Sequence, residues 1–523
     1  MHSSGRFLGS ARLIAILTMC SRVLGLAREC VFGYLFSTSE LLSAFRIAFM
    51  VPNLTRRLFG EGALSSSMIP VLTEDLRSSG EESSRRLVGT IITLLVVVLS
   101  VVLVVGESVI LSWRRLRPDF ALDLAAILLP YMVLICTVAV AGGALNVRRH
   151  FATPALAPTV LNVSIIVFAL VGSLSLGLVG KRLMTAVAVS VLVAGVGQLA
   201  IVALAMRRLS FFPIFGGRWR DPRILAVFAL MGPMILGLSA VQINTLCDYL
   251  IAYVFVADEK GKVGPAVLGY AHYLYQLPLG VFGIALATAI FPVLSSRAAE
   301  GDRRGLAETL AQGIRLSLFI ALPASVGLIF VAGPLVGTLF ERGAFDAADT
   351  QRVAGVLVFY SLGLAAYFTQ HVLVRAFYAD HNSKTPARIA GLMVVVNLAM
   401  NLALVFPLQE RGLALATACC SMVQVVWLWL VLRRSLPELG ELRIMPSVAK
   451  TLVSTAIMTA VLVVLASPVL LGGWIGSHHT IRLAVLVPVG AIAYGLAARA
   501  MGMEEWRQIL RKEGASGTSP AVK

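Results

Sequence analysis

The sequence predicts an all-α, polytopic membrane protein, and three observations carry that prediction. Hydrophobic residues make up 58% of the chain and charged residues only 14%, with a mean hydropathy of +0.87, well outside the range of water-soluble domains. Apolar runs of about 18 to 25 residues, each long enough for a spanning helix, recur along the whole length between short polar or Gly/Pro-containing connections. The alternation of a membrane β-barrel is absent.

In chain order the runs place fourteen helices near residues 10–36, 41–72, 86–112, 121–147, 155–178, 183–207, 223–256, 265–296, 309–335, 352–378, 386–406, 412–433, 447–471 and 480–500. The first, from about Ala11 to Phe36, exceeds a signal-peptide apolar region and is followed by no small-residue cleavage site, so it reads as a retained helix. With the N-terminus inside, the inner segments carry Arg77, Arg85, Arg86, Arg148, Arg149, Arg207, Arg208, Arg218, Arg220, Arg297, Arg303, Arg304, Arg433, Arg434, Arg507, Arg511 and Lys512. The outer loops carry mainly Arg114, Arg115, Arg117, Lys181, Lys260 and Lys262. This bias orients both termini to the cytoplasm.

The formal charge of +17 does not call for nucleic acid, because the basic residues lie in short clusters at helix ends, where anionic membrane lipids attract them. Cys20, Cys30, Cys136, Cys247, Cys419 and Cys420 all lie in apolar segments without C-x-x-C spacing, which indicates neither a disulfide frame nor a zinc site. Neither an acidic pair, a metal cluster nor a P-loop is present, and the seven histidines are scattered, so an enzyme is not expected.

The chain repeats itself. "ALSSSMIPVLT", Ala63 to Thr73, matches "ALATAIFPVLS", Ala285 to Ser295, six helices later, and "RRHFATPA", Arg148 to Ala155, is echoed by "ADHNSKTPA", Ala379 to Ala387, at the same helix offset. An even separation predicts a parallel repeat about a pseudo-two-fold axis along the membrane normal. The expected parts are an N-lobe at 1–208, a C-lobe at 209–435, a C-terminal helix pair at 436–502 and a cytoplasmic tail at 503–523, so the lobes hold six helices each.

The first two helices carry charge where lipid tolerates little. Helix 1 holds Arg22, Arg28 and Glu29; in helix 2, Arg46, Asn53 and Arg57 follow at steps of seven and four along one stripe, with Arg56 beside it and Glu61 a turn beyond. Five unpaired arginines at mid-bilayer would cost on the order of 10 kcal/mol. Two carboxylates leave most of that cationic charge uncompensated, and guanidinium forks match phosphate oxygens, so a phosphate or diphosphate is the natural ligand. Snorkelling or simple ion pairing with Glu29 and Glu61 is the alternative. Pro52, Gly60 and Gly62 would bend or loosen helix 2 where the charges gather. Farther along, Asp248 on helix 7, Asn397 and Asn401 at i, i+4 on helix 11, and Thr417 on helix 12 form a hard-oxygen set suited to Na⁺, or else bond between helices.

"SRVLGLARE" (Ser21 to Glu29), "PNLTRRLFGEGALSSSMIPVL" (Pro52 to Leu72), "FATPALAPTVLN" (Phe151 to Asn162), "GPMILGLSAVQIN" (Gly232 to Asn244) and "LPLGVFGIALATAIFPVLS" (Leu277 to Ser295) resemble the MurJ/MviN family of lipid II flippases in the multidrug/oligosaccharidyl-lipid/polysaccharide exporter superfamily. The resemblance spans essentially the whole chain. It implies two six-helix lobes plus a C-terminal pair, and alternating access of a central cationic cavity that carries the lipid-linked peptidoglycan precursor outward. It also implies diphosphate or headgroup contacts at Arg22, Arg28, Arg56 and Arg57, with Asn53 and Glu61 as cavity or gate residues. Glu29, His272 and Tyr273 are expected at a gate or ion pair, and Asp248, Asn397, Asn401 and Thr417 resemble a sodium site described in some members, with Asn401 in place of an acid. No cofactor is implied beyond Na⁺ or the membrane potential as driving force; lipid II, membrane lipids and cell-wall synthesis machinery are the expected partners. The sequence departs from the family at Ser43, where an aspartate is usual, and at His272 and Tyr273, where an Asp-Arg pair is usual. Arg46 is an added cation that would offset the lost helix 8 arginine. Those departures keep open an exporter of another lipid-linked saccharide or small molecule, or a transport-inactive envelope scaffold.

Overall fold

The computed structural model describes residues 2–60, 63–216, 221–442, 444–467 and 478–510; Glu61, Arg218, Arg220, Arg511 and Lys512 lie outside the described residues, as does the expected end of helix 13 at 468–471. All fourteen expected segments fall on helix, and no strand occurs among the described residues. Ten helices are long and apolar enough to cross a membrane, or eleven when the bent pair Ala347–Leu362 and Leu364–Ala379 counts as one span. The remaining expected spans are the charged helix His2–Phe36 (α1), a broken segment made of Glu40–Thr55 (α2), a π-helical turn at Arg56–Gly60 and Ala63–Ser78 (α3), and the helix Pro222–Phe255.

The chain forms two compact units, one of residues 1–266 with 342–346, the other of residues 267–341 with 347–523. The first unit holds α1 to α3, then Gly80–Leu116 (α4), Phe120–Leu128 (α5), Tyr131–Val147 (α6), Ala152–Leu170 (α7), Gly180–Arg208 (α8) and Pro222–Phe255 (α9). Here α1 packs on α7, α2 on α5, α6 on α8 and α3 on α9. The lobe boundary expected at residue 208 therefore differs from the boundary of the compact unit, because α9 is fastened to α3. Asp221 caps α9 by accepting from the Arg223 N–H at 3.0 Å, and the Arg223 guanidinium pairs with both Asp221 and Asp75. Asp75 is buried and also accepts from Ser83 Oγ at 3.1 Å and Ser84 Oγ at 2.9 Å.

In the second unit Gly264–Pro278 (α10, whose first turn lies in the first unit), a π-helical turn at Leu279–Gly283 and Ile284–Ala299 (α11) repeat the broken form of α2 and α3. The two π turns immediately precede the two copies of the repeated sequence, so the repeat is one of local backbone as well as of residues. Arg303–Phe340 (α12), Ala347–Leu362 (α13), Leu364–Ala379 (α14), Lys384–Leu408 (α15) and Glu410–Ser435 (α16) complete it. The bend of 42° between α13 and α14 falls at Gly363, which approaches the Ala418 backbone so closely that a Cβ would lie 2.9 Å from its Cα. Two further helices, Ile444–Ala466 (α17) and His479–Ala500 (α18), pack on α12. Pro323 inside α12 has no N–H to offer the Phe319 carbonyl four residues back; the Tyr494 hydroxyl of α18 donates to that oxygen at 2.7 Å instead.

Helix ends explain part of the charge bias. After α6, α8 and α14 the chain turns through left-handed Arg149, Ser210 and His381, and the next residue donates back to the helix: His150 to the Leu145 carbonyl, Phe211 to Met206 and Asn382 to Phe377, each at 2.9 Å. Gly301 and Gly502 close α11 and α18 in the same way. These paired bonds satisfy carbonyls that a helix C-terminus leaves open. Basic residues occupy the last turns of α8, α11, α16 and α18, where they also face the negative end of the helix dipole.

At the opposite face of the first unit, Asp119 caps α5, accepting from the Ala121 N–H at 2.9 Å, and takes hydrogen bonds from Tyr253 Oη at 2.6 Å and Lys262 Nζ at 2.7 Å. Burial pushes the Asp119 carboxyl up, but the Lys262 and Tyr253 bonds outweigh it and hold the group below its usual range.

Two outcomes follow from these contacts. A Cβ on Gly89 would lie 2.1 Å from the Ile214 carbonyl oxygen, whereas one on Gly327 meets nothing within 4 Å. Gly89→Ala should therefore cost about 1–3 kcal/mol through overpacking, lowering the unfolding midpoint in detergent while Gly327→Ala leaves it nearly unchanged. For Asp119, a depressed folded pKa adds stability that is fully present above the unfolded value, near ~3.9, and is lost as pH falls through the folded value. Lys262→Gln should then unfold at a lower temperature than the parent at pH 7, and the gap should narrow in melts below about pH 4.

Candidate functional site

Arg28 of α1 and Arg46 of α2 converge on one carboxylate, that of Glu29. Glu29 is 4% exposed; its Oε1 accepts from Arg28 Nη2 and its Oε2 from Arg46 Nη2, both at 2.7 Å. Arg28 uses its other arm on α7, donating from Nη1 to Asn162 Oδ1 at 3.0 Å, while Asn162 Nδ2 donates to the Ser21 carbonyl at 3.2 Å. Arg46 also bonds Tyr249 of α9. One negative charge thus positions two cations, and Arg28 Nε is buried with no acceptor among the described residues.

The expected single stripe through Arg46, Asn53 and Arg57 stops at residue 55. Pro52 lies inside α2 and supplies no N–H, Thr55 Oγ1 donates to the Pro52 carbonyl at 2.8 Å, and the backbone then enters the π turn at Arg56. That wider turn changes the register. Arg56 folds back on Asn53, with Nε and Nη2 at 3.3 and 3.0 Å from Asn53 Oδ1, while Arg57 Nη1 donates to Gln242 Oε1 of α9 at 3.2 Å. Both arginines are partly exposed, as is Arg22. Ser43, where the family pattern has an acid, is fully buried and its Oγ accepts from the Ala266 N–H at 3.1 Å in the first turn of α10.

The other expected site residues belong to the second unit, apart from Asp248, which is buried on α9 in the first. His272 Nε2 and Gln276 Nε2 are 2.6 Å apart on α10, and the His272 ring stands edge-on to Tyr275 at 5.1 Å. Tyr275 in turn stacks on Tyr360 at 4.7 Å. The structure does bring Asn397, Asn401 and Thr417 together: Asn401 Nδ2 donates to Asn397 Oδ1 at 2.7 Å, Asn397 Nδ2 to Thr417 Oγ1 at 3.4 Å, and Thr417 Oγ1 to the Leu413 carbonyl at 3.0 Å. This directed chain joins α15 to α16.

Asn162, Gln242 and Tyr249 were not singled out in the sequence, although each supports an arginine. A polar residue within an apolar helix is the available signal, and Asn162 gives it. Sequence reasoning also passed over His371 and Arg375, one turn apart on α14; the Arg375 guanidinium lies 5.2 Å from the Phe291 ring centroid.

Comparison with known proteins agrees with this architecture. The family model described as lipid II flippase MurJ matches residues 32–484. A probable lipid II flippase MurJ of Rhizobium tropici is 32% identical over 507 residues, covering 93% of this chain and 92% of its own; the lipid II flippase MurJ of Burkholderia cenocepacia is 33% identical over 433 residues, covering 80% and 82%. A solved structure of lipid II flippase MurJ in an inward closed conformation shares the fold with a TM-score of 0.78 at 23% identity, over 95% of this chain and 100% of that one. An inward-facing multidrug resistance MATE transporter of the MOP superfamily gives 0.68 at 17% identity, over 83% and 99%. The fold is thus that of a multi-pass transporter of the MOP type. The chain belongs to the lipid II flippase MurJ family.

The shared carboxylate sets a stability prediction. Glu29→Gln removes the negative charge that Arg28 and Arg46 share in a largely buried ion-pair network, which should cost about 3 kcal/mol and lower the unfolding midpoint. Adding Arg46→Gln should recover part of that loss, whereas independent residues would give additive losses.

Proposed function

We infer that this chain is a lipid II flippase, moving the diphosphate-linked peptidoglycan precursor from the inner to the outer leaflet of the cytoplasmic membrane. The observation that carries the reading is the cationic group on Glu29 and the π turn, in a chain whose relatives bear the name lipid II flippase MurJ. Arg28, Arg46, Arg56 and Arg57 present guanidinium forks in a span with little water, where charge-assisted bonds to phosphate oxygens are strong. Glu29 takes one arm each of Arg28 and Arg46 and so holds the geometry of that part of the group. Arg22, Asn53 and Glu61 complete the headgroup contacts in this proposal.

Transport follows from exposing that cationic site in turn to each leaflet, with both termini in the cytoplasm. The apolar tail remains in lipid and only the polar headgroup requires a protein path. Two energy sources fit the residues. Na⁺ would use the oxygens of Asn397, Asn401 and Thr417 in the second unit; alternatively the membrane potential supplies roughly 2.3 kcal/mol per charge per 100 mV. His272 and Tyr273 fill the place of the missing Asp-Arg pair at the gate, and Arg46, held by Glu29, is the cation that offsets part of the lost charge. Lipid II and the surrounding lipids are the partners, with cell-wall synthesis machinery receiving the product.

The test is rescue of a bacterium conditionally depleted of its own flippase. The parent chain should restore growth and cell shape, while Arg28→Ala and Arg57→Ala, expressed to the same level in the membrane, should not. Failure of a well-expressed parent would move the chain to a different lipid-linked substrate or to a scaffold role.

A further inference from the structure

The strongest feature outside the proposed site is a basic corner of the first unit, on the face that carries the turns at 36–40, 116–120, 175–180 and 255–264. Helix α4 has 37 residues and is about 55 Å long, against a hydrocarbon core of about 30 Å. Its side is lipid-facing: Val101, Val104, Val105 and Val109 are all more than half exposed. The same helix ends in "SWRRLRPD", Ser112 to Asp119, where Arg114, Arg115, Trp113 and Leu116 are exposed, with Arg117 just beyond. Leu116 is 80% exposed.

The neighbouring turn adds to the corner. Exposed Leu174, Leu176 and Val179 lead into exposed Lys181 and Arg182 at the start of α8, and Lys181 Nζ lies 5.4 Å from the ring centroid of Phe120, at the start of α5. The nearby carboxylates are already used: Asp123 pairs with Arg114 at 2.8 Å and Asp119 with Lys262 at 2.7 Å. Arg115, Arg117 and Arg182 make no ion pair among the described residues.

Helix-end chemistry does not explain these cations. In the first unit α1 and α9 end on the same face, and neither carries a basic residue in its last turn. The cations of α4 also run against the bias that orients the chain. They alternate with aromatic and aliphatic side chains at the end of a lipid-facing surface, which is the composition of a membrane-interface contact. Arginine forks match phosphate.

We propose that this corner binds the phosphate headgroups of anionic phospholipids in the outer leaflet, with Arg115, Arg117 and Arg182 on the phosphates and Trp113 and Leu116 among the upper acyl chains. The assignment of leaflet rests on the orientation proposed above. The binding itself does not depend on transport.

The full chain, purified in detergent, is titrated with phosphatidylglycerol or with phosphatidylcholine and read by native mass spectrometry. The parent should take phosphatidylglycerol at least threefold more tightly. Combined Arg115→Gln, Arg117→Gln and Arg182→Gln, with an unchanged unfolding midpoint, should reduce that preference at least twofold and leave phosphatidylcholine binding as it was; the inner basic clusters supply the remainder. An unchanged preference, or an equal loss for both lipids, overturns the proposal. Because the titration needs no substrate, a negative result leaves the flippase reading standing, and a failed rescue leaves this one standing.

Discussion

Sharing of one buried carboxylate between two guanidiniums is the constraint on which the cationic site depends. Arginines inside a membrane are costly when alone and inert when fully neutralised. Glu29 fixes both Arg28 and Arg46 at hydrogen-bond distance, so neither guanidinium stands alone. The bond from Arg28 to Asn162 carries the arrangement to α7, against which α1 packs, so the placement of the charges and the packing of the helices are one problem with one solution.

The second constraint is the backbone. A helix in lipid must satisfy its own polar groups. At the end of α2 the Pro52 carbonyl accepts from both the Thr55 hydroxyl and the Arg56 N–H. Tyr494 answers the carbonyl freed by Pro323. The π turns at Arg56–Gly60 and Leu279–Gly283 occur before both copies of the repeated sequence, and in the first unit that turn separates Arg56, held by Asn53, from Arg57, held by Gln242. A straight helix would have aligned Arg57 with Arg46 and Asn53 on one stripe.

Helix positions were legible in the sequence because apolar length is a direct consequence of bilayer thickness, and each expected segment is helical. Interruptions were less legible. Pro52 announced a disturbance but not a π turn, and the breaks between α5 and α6 and between α13 and α14 depend on contacts such as that of Gly363 with Ala418. The arginines stood out as charges in apolar runs, whereas Asn162 and Gln242 acquire their meaning only from partners more than a hundred residues away. The grouping of α9 with the first unit was likewise hidden, since it follows from the Asp75 and Arg223 contact rather than from the repeat. Asn397, Asn401 and Thr417 were expected as ion ligands or interhelical bonds, and the structure links them in one directed chain between α15 and α16.

The left-handed residues after α6, α8 and α14 carry a consequence for which side chains can close a helix. Arg149, Ser210 and His381 occupy a conformation that costs an ordinary residue roughly 1–2 kcal/mol and glycine almost nothing. At Arg149 the residue that closes the helix also brings a positive charge to its negative end. Glycine there would relax the turn and remove that charge. Backbone comfort and electrostatics thus place opposite demands on a single position, and this chain has settled the matter in favour of the charge.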